Sequence, residues 1–254
     1  MTASSPGQIQ SVQTTFAILE YIRDSEGAGV TDVADAFSVS KSTAHGHLST
    51  LASLGYIVDV DGKYRIGLQF LEFGHHARSR YNLYEAAKPE ADQLAQLTGE
   101  RCQIMVVEDF RGVYIYQTAG EQAVQTDSHI GGTVDLHCTA VGKSYLAYLP
   151  DNELEAYLEQ VGLDERTKHT ITDPEKFREE IERVREQGYA RNLEERIEGM
   201  NAFGAPILTE DGEVLGAISV SVPTTRIDDS VDENELVEQI RRSARVITIR
   251  TTYS

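Results

Sequence analysis

Cysteine, long apolar runs and basic side chains are all scarce in this 254-residue sequence, and each shortage excludes a class of protein. Two cysteines cannot build a disulfide framework in a chain of this length, so we expect a protein of the reducing cytoplasm. No apolar run approaches the roughly 18 residues of a membrane span, and no membrane partner is expected. Residues 1–10 have neither the basic start nor the apolar core of a secretory signal.

The shortage of basic residues has a further consequence, because it gives the chain a large negative charge. The sequence holds 23 lysines and arginines against 41 aspartates and glutamates, a net charge of -18. This is the wrong sign for a typical nucleic-acid-binding protein. A cytoplasm of very high salt would reconcile such a surface with DNA binding, because the Debye length falls to ~3 Å at about 1 M salt. The composition therefore favours a halophilic source.

The sequence does contain a helix-turn-helix pattern, within residues 31–66. Thr31 is a good N-cap for a short first helix, and Ser40 can cap a second helix that begins at Lys41. Gly55 follows the second helix, where a left-handed C-cap is wanted. Apolar residues at spacings of four, three and three give the second helix one face that we expect to be buried: Ala44, Leu48, Leu51 and Leu54.

The outer face of the second helix is small and polar near its N-terminus. It carries Lys41, Ser42, His45, Gly46 and Ser49. Such side chains beside a helix N-terminus can approach a phosphate backbone closely and reach base edges. Helix-turn-helix units also occur as plain packing modules, so this pattern alone leaves both interpretations open.

Two β-rich runs follow, at 56–60 and 63–66. They are joined by Asp61-Gly62, a strong signal for a two-residue hairpin turn. Lys63 and Arg65 place two of the few cations on the second run, where we expect them to contact DNA. Helix, turn, helix and hairpin together predict a winged helix-turn-helix that binds DNA.

Helices are also predicted on both sides of this motif. Residues 70–84 should form a helical connector, which gives a DNA-binding domain over 9–69 and a second domain over 85–254. Residues 11–25 should complete a three-helix core through one apolar stripe: Val12, Phe16, Leu19 and Ile22.

The second domain alternates helices and strands. Helices are predicted at 85–97, 152–160, 174–187 and 231–249, a further helix after LHCTAV, and strands at 102–107, 113–117, 203–208 and 213–222. We expect a mixed sheet with helices on both sides, a sensor-like α/β domain. The fold class of the whole chain is therefore α+β.

Six segments along the chain carry a family resemblance. They are SVQTTFAILEYI, VSKSTAHGHLSTLASLGYI, YRIGLQFLEFG, LHCTAVGKSYLAYL, QGYARNLEERIEGMNAFGAPI and GEVLGAISVSVP. In this order they resemble the IclR family of transcriptional regulators, with the acidic composition of a haloarchaeal member. The resemblance implies a winged helix-turn-helix joined by a connector helix to a GAF-like effector-binding domain. It also implies dimers or tetramers on palindromic operators, whose DNA affinity shifts with a small organic effector, often a carboxylate or aromatic catabolite.

By position, the resemblance makes residues 41–54 the DNA-reading helix. The contacts it implies are Lys41, toward phosphate, with Ser42, Thr43 and His45. Gly46 departs from the family, because many relatives carry a DNA-contacting arginine there, a contact worth about 1–3 kcal/mol when bidentate. We expect His45 and His47, or the shape of the operator, to replace part of that readout.

The family's effector cavity maps onto six positions: Ala140, Val141, Asn192, Ala202, Ser219 and Ser221. Backbone N–H groups at a helix N-terminus, with hydroxyls and an amide opposite, would form a neutral pocket for an anion. Relatives often have an acid where Asn192 lies, on the loop after the long helix, and a cysteine where Ala202 lies. A thiol- or metal-dependent response is therefore not expected. Taken alone, Ser219 and Ser221 slightly favour a solvated strand face, whereas the matching motif favours the pocket.

Other reactive pairs in the sequence do not build a site. His137-Cys138 lacks a CxxC or HxxxH partner and an orienting acid, so neither a metal site nor a cysteine nucleophile is predicted. Gly142-Lys143 does not complete a phosphate loop, because His137 stands where GxxxxGK[ST] requires glycine. No cofactor and no metal are expected.

These patterns predict a homo-oligomeric transcription regulator without enzymatic activity, whose operator affinity depends on a small effector. Two alternatives remain open from the residues alone. One is an enzyme acting on a small organic acid, with the helix-turn-helix as an appendage, although no acid, base and nucleophile converge on any motif. The other is a protein-interaction module that never contacts DNA.

Overall fold

The chain forms two compact units, which divide between Ala77 and Arg78. The computed structural model describes residues 7–229 and 231–252. The first unit consists of helices with one hairpin, and the second is built on a six-stranded sheet. The predicted α+β class is confirmed. Within the described ranges, no helix is both long and apolar enough to cross a membrane.

The first unit contains a three-helix core, a hairpin and a further helix. Its elements are α1 (Gln10–Asp24), α2 (Val30–Phe37), α3 (Lys41–Ser53), β1 (Ile57–Val60), β2 (Lys63–Ile66) and α4 (Gln69–Ser79). Ile18 and Ile22 of α1 and Leu48 of α3 are fully buried in one cluster. The hairpin pairs Val60 with Lys63, and both turn residues have positive φ, the geometry of a type I′ turn.

Two predicted apolar faces of this unit are only partly buried. Val12 is 49%, Phe16 60% and Leu54 60% exposed. These three side chains line an open groove between α1 and α3, because helix α1 packs through Ile18 and Ile22 instead. Periodicity identified the helices, but the predicted burial of all three residues is wrong.

The helix ends differ slightly from prediction. Helix α2 is preceded by Gly29 rather than capped by Thr31, and the Asp32 carboxylate accepts the backbone N–H of Gly29 at 2.9 Å. The predicted cap of α3 is confirmed, since Ser40 Oγ accepts the backbone N–H of Thr43 at 3.1 Å. The helix predicted at 70–84 ends earlier, at Ser79, and a new helix starts at Leu83.

The second unit alternates helices with the strands of one sheet. Its elements are α5 (Leu83–Thr98), β3 (Arg101–Glu108), β4 (Arg111–Ala119), β5 (Thr133–Val134), α6 (Ala140–Leu146), α7 (Asp151–Gln160), α8 (Pro174–Gln187), β6 (Ala190–Leu193), β7 (Met200–Leu208), β8 (Val214–Pro223), α9 (Thr224–Asp229) and α10 (Glu233–Thr252). The strand order is β5-β4-β3-β8-β7-β6. Every pairing is antiparallel, so the predicted mixed sheet is wrong.

A separate hydrophobic core covers each face of this sheet. One core joins the sheet to α5 and α10, and the other joins it to α6, α7 and α8. On β3, Ile104 and Val106 belong to the first core and Met105 to the second. The central strand is therefore buried on both faces, which explains why its sequence is apolar without alternation.

Two short edge strands were absent from the prediction. Strand β5 pairs with β4, and β6 pairs with β7. Asn192 lies on β6 opposite Ala202, so its predicted placement on a loop is wrong. Both strands are too short for an alternating pattern, and only their pairing partner defines them.

Candidate functional site

Four of the residues predicted to contact DNA form one exposed stripe on α3. Ser42, His45, Gly46 and Ser49 are all exposed, at the spacing of one helix face. Lys41 is exposed at the first position of the helix. The structure thus presents these side chains together beside a helix N-terminus, where a phosphate backbone is attracted.

Thr43, also predicted to contact DNA, faces a different direction. It is exposed and lines the groove between α1 and α3, which Gly46 borders as well. Its hydroxyl lies 2.8 Å from Ser40 Oγ, and Ser42 Oγ also lies 2.8 Å from Ser40 Oγ. These hydroxyls therefore form part of the cap that begins the helix.

Gly46 leaves the centre of the exposed stripe bare. A Cβ placed there would meet no atom within 4 Å, so steric crowding does not require this glycine. Its carbonyl oxygen accepts hydrogen bonds from Ser49 Oγ at 3.2 Å and Thr50 Oγ1 at 2.8 Å. The stripe can consequently lie closer to a partner than one that carries an arginine.

His47 does not belong to the exposed stripe. Its Nδ1 lies 2.8 Å from Thr15 Oγ1, in a hydrogen bond that connects α3 to α1. The side chain is half-buried, whereas His45 is exposed. The ring of His47 thus serves the packing of the helices through Nδ1, and its part in DNA readout stays a prediction.

The hairpin presents the other two predicted DNA contacts. Lys63 and Arg65 are exposed and alternate along β2, so both side chains lie on the same face of the hairpin. Asp59 Oδ1 accepts the Gly62 N–H at 2.8 Å and fixes the turn beside them.

A small polar cavity of about 40 Å³ lies in the second unit, at one end of α6. Five of the six positions expected to bind an effector line it: Ala140, Val141, Ala202, Ser219 and Ser221. Ser219 is buried and Ser221 half-buried, so the solvated strand face is not what the structure shows. Gly204 allows α6 to lie against the sheet, because a Cβ there would fall 2.8 Å from the carbonyl carbon of Ala140.

The sixth position, Asn192, does not line this cavity. Its side chain is buried, and its Oδ1 accepts the backbone N–H of Glu195 at 2.8 Å. Asn192 therefore stabilises the turn that follows β6 and is not among the residues that line the cavity.

The start of α6 is the helix N-terminus that the sequence predicted to lie at an anion pocket, and one of its donors is already occupied. The helix has only seven residues, and Thr139 Oγ1 already accepts the N–H of Gly142 at 3.2 Å. A short helix with an occupied donor provides little of the dipole that a longer one offers.

Arg196 is a lining residue that sequence reasoning missed. Its guanidinium donates two hydrogen bonds to Asp127, at 2.9 and 2.7 Å. Burial by itself would lower the pKa of Arg196, but the hydrogen bonds and the charge of Asp127 raise that pKa above its usual value. The Arg196 guanidinium in turn holds the pKa of the Asp127 carboxyl below its usual range.

Lys143 is fully buried rather than a cation at the surface of its helix. Its Nζ lies 2.5 Å from Glu195 Oε1 and 3.1 Å from Glu180 Oε1, and Arg183 pairs with the other oxygen of Glu180. Burial raises the pKa of Glu195 despite the opposing charge of Lys143. The network ties α6 to α8 and to the loop that carries Arg196.

His137 and Cys138 are both buried in the second unit. His137 Nε2 lies 2.8 Å from the carbonyl oxygen of Asp164, and burial lowers the pKa of the ring. Across the described residues, no three histidine, cysteine, aspartate or glutamate side chains come together to hold a metal ion.

Comparison with known proteins identifies the family. The family model described as Bacterial transcriptional regulator IclR C-terminal matches residues 75–249, and the IclR helix-turn-helix domain matches residues 11–61. The chain belongs to the IclR family of transcriptional regulators. The probable HTH-type transcriptional regulator ArcR of Halobacterium salinarum is 31% identical over 249 residues, which cover 96% of this chain and 95% of that relative.

Solved IclR structures have the same fold. The Thermotoga maritima IclR crystal structure matches with a TM-score of 0.84 at 30% identity, over 97% of this chain and 100% of that chain. An IclR homologue of Microbacterium hydrocarbonoxydans, complexed with 4-hydroxybenzoate, matches with a TM-score of 0.82 at 22% identity, over 96% of this chain and 100% of that chain. As an IclR-family member, the protein is a transcriptional regulator with a C-terminal effector-binding domain.

Proposed function

We propose that α3 enters the major groove of an operator and that the cavity beside α6 holds the effector. Ser42, His45, Gly46 and Ser49 would face base edges, and Lys41 would lie toward phosphate. Lys63 and Arg65 of the hairpin would contact the backbone that flanks the groove. The observation that carries this proposal is the exposed stripe on α3, small and polar beside a helix N-terminus.

The regulator would act as a homodimer or tetramer on a palindromic operator, since two-fold symmetric proteins read two-fold symmetric sites. Helix α4 is the segment that joins the two units along the chain. We propose that effector binding changes the spacing of the two winged domains through this helix. An effector can do so only if it binds one arrangement more tightly than the other.

The second unit would be a GAF-like sensor for a small carboxylate or related catabolite. Hydroxyls of Ser219, Ser221 and Thr139 and the amide of Gln103 surround the cavity and can hold a polar ligand in one orientation. The complex of the Microbacterium homologue with 4-hydroxybenzoate supports a carboxylate in a domain of this fold. We propose no catalytic activity.

The net charge of -18 fits a halophilic cytoplasm, where salt screens the repulsion between an acidic protein and DNA. The similarity to a Halobacterium salinarum regulator supports this setting. The binding assays below therefore belong at molar salt.

Affinity selection of genomic DNA fragments on the purified protein tests the DNA-binding part. We expect enrichment of a few fragments that share an inverted repeat. Lys41→Glu should weaken binding to every fragment alike, because a phosphate contact carries no sequence information. No enrichment of any fragment by the folded wild-type protein would contradict the proposal and favour a protein-interaction module.

The double substitution Ser219→Val with Ser221→Val tests the effector cavity. Each substitution replaces one hydroxyl by two methyl groups, which removes a hydrogen-bonding group and fills the cavity, so the response of operator binding to effector should be lost while operator affinity stays unchanged. Ser243→Val, on α10 in the opposite core region, is the control and should respond as wild type. A fully responsive double variant would refute the cavity.

A further inference from the structure

The effector cavity adjoins a second, larger cavity of about 530 Å³. Two residues, Arg196 and Ile197, line both cavities and so form part of the wall between them. Three guanidinium groups and two carboxylates, those of Asp127 and Asp135, line the outer cavity. The guanidinium groups belong to Arg111, Arg166 and Arg196.

Arg196 is the one charged residue among those that line the inner cavity. The other lining side chains are apolar or carry hydroxyl or amide groups, and α6 is too short to replace a cation. An anionic ligand in the inner cavity therefore meets one full positive charge, that of Arg196. Attraction between that charge and an anion is stronger here than in water, because the Arg196 side chain is only 21% exposed.

In this structure the Asp127 carboxylate forms an ion pair with the Arg196 guanidinium. The pair is bidentate, but the Asp127 side chain is 66% exposed, so its removal from the guanidinium would return it to solvent. Displacement would cost this bidentate contact, and an incoming carboxylate on Arg196 could restore it. Thr126 and Ser128, the neighbours of Asp127, line the inner cavity. The ion pair is therefore one of the contacts that hold this segment over the inner cavity, together with the hydrogen bond from Gln117 Nε2 to the carbonyl oxygen of Ser128.

We propose that Arg196 is the charge anchor for an anionic effector and that Asp127 is a competing carboxylate of the chain itself, which the effector's carboxylate displaces. This inference rests on the proposed function, because it assigns the specificity of the same cavity. The inner cavity of about 40 Å³ holds little more than a carboxylate-sized group. The remainder of a larger effector would extend past Arg196 into the outer cavity, where Asp135 already neutralises Arg166.

The exchange has two consequences. An uncharged analogue cannot replace Asp127 on Arg196, because it would leave a largely buried guanidinium without a counter-charge. The loss of Asp127 from the guanidinium also removes one restraint on the segment around Thr126 and Ser128. The charge of the ligand would thereby determine how firmly this segment is held over the cavity.

Three matched variants separate these roles. Arg196→Gln removes the anchor, Asp127→Asn removes the competitor, and Arg166→Gln removes a guanidinium of the outer cavity that pairs with Asp135 at 2.7 Å. Melting temperature is measured for each folded variant with a panel of mono- and dicarboxylates of two to eight carbons and with the corresponding amides. Dissociation constants of the carboxylates that raise it follow from calorimetry at molar salt.

We expect at least one carboxylate to bind the wild type, and its amide to bind about tenfold or more weakly, as befits a lost charge-assisted hydrogen bond. Arg196→Gln should weaken the carboxylate by about tenfold or more, and Asp127→Asn should strengthen it several-fold. Arg166→Gln should bind the same carboxylate with a dissociation constant within about threefold of wild type, because loss of a charge at the rim of a site mainly changes the association rate.

Equal binding of carboxylate and amide, unchanged affinity in Arg196→Gln, or weaker binding in Asp127→Asn would each overturn the inference. So would a panel without any bound carboxylate. The proposed function fails differently, because wild-type protein that enriches no genomic DNA fragment contradicts it whatever the panel shows. A circular dichroism spectrum of Arg196→Gln that matches wild type shows that a lost ligand response does not reflect unfolding.

Discussion

Lys143 and Glu195 form an ion pair inside the second unit, with Nζ 2.5 Å from Oε1 and both side chains more than nine-tenths buried. Glu180 accepts a second hydrogen bond from the same ammonium group at 3.1 Å. The pair fixes Glu195, the neighbour of Arg196, against the helix that begins at the effector cavity. Positioning of the proposed anchor thus depends on a charge network deeper in the protein.

Lys143→Met should lower the free energy of unfolding by about 3–5 kcal/mol, because it leaves two buried carboxylates without their shared cation. Chemical denaturation at molar salt measures the loss. Lys168→Met is the control, since Lys168 pairs with Glu198 at the surface and its loss should cost less than about 0.5 kcal/mol. If the two variants lose the same free energy of unfolding, the buried network contributes no more to stability than a surface ion pair.

Gly46→Arg should strengthen operator binding. The position has open space around it, and an added bidentate contact to a guanine is worth about 1–3 kcal/mol. Gly74→Arg provides the control, because Gly74 is also helical, exposed and free of neighbours within 4 Å of an added Cβ. Fluorescence anisotropy with the selected operator compares them. If both variants gain affinity alike, the effect is that of net charge, and Gly46 does not face the bases.

His45→Ala should change base preference and His47→Ala should change stability, although only one residue separates the two positions. His45 is exposed on the stripe, so its loss should relax preference at one base position and leave stability within about 0.5 kcal/mol. His47 bonds Thr15, so its loss should cost about 1 kcal/mol of stability and leave base preference unchanged. Operator mutagenesis and denaturation measure these effects, and a shared effect on base preference would contradict the assigned stripe.

Both cysteines should be unreactive toward a thiol reagent in the native protein at pH 8. Burial raises the pKa of Cys138 to about 12 and raises the pKa of Cys102 as well, so neither thiol supplies the reactive thiolate at that pH. Two thiols should react once guanidinium unfolds the chain. Rapid reaction of one thiol in the folded protein would instead indicate that the cavity region opens around Cys138.

Local sequence determined the winged unit well because its signals are local. Ser40 caps α3 through the next turn, and Asp61-Gly62 sets a hairpin whose partners are adjacent in the chain. Burial of Val12 and Phe16 could not be read in this way. An apolar stripe shows which face of a helix is apolar, but another element must cover that face before it becomes core.

The proposed effector cavity was predictable where it depends on regular elements and unpredictable where it depends on loops. Ser219 and Ser221 share a face of β8 by simple alternation, and the structure places both at the cavity. Arg196 follows a four-residue edge strand without periodicity, and its partner Asp127 lies 69 residues earlier. No local pattern links two such residues, so only the folded chain shows that they meet.

The most direct measurement is a titration of the selected operator with wild-type protein at molar salt, with and without a carboxylate that raises its melting temperature. The account predicts a saturable complex whose dissociation constant changes by about fivefold or more when the carboxylate is added, a coupling of roughly 1 kcal/mol or more. A dissociation constant that is the same in both titrations would contradict the claim that a small molecule in the second unit controls DNA binding by α3.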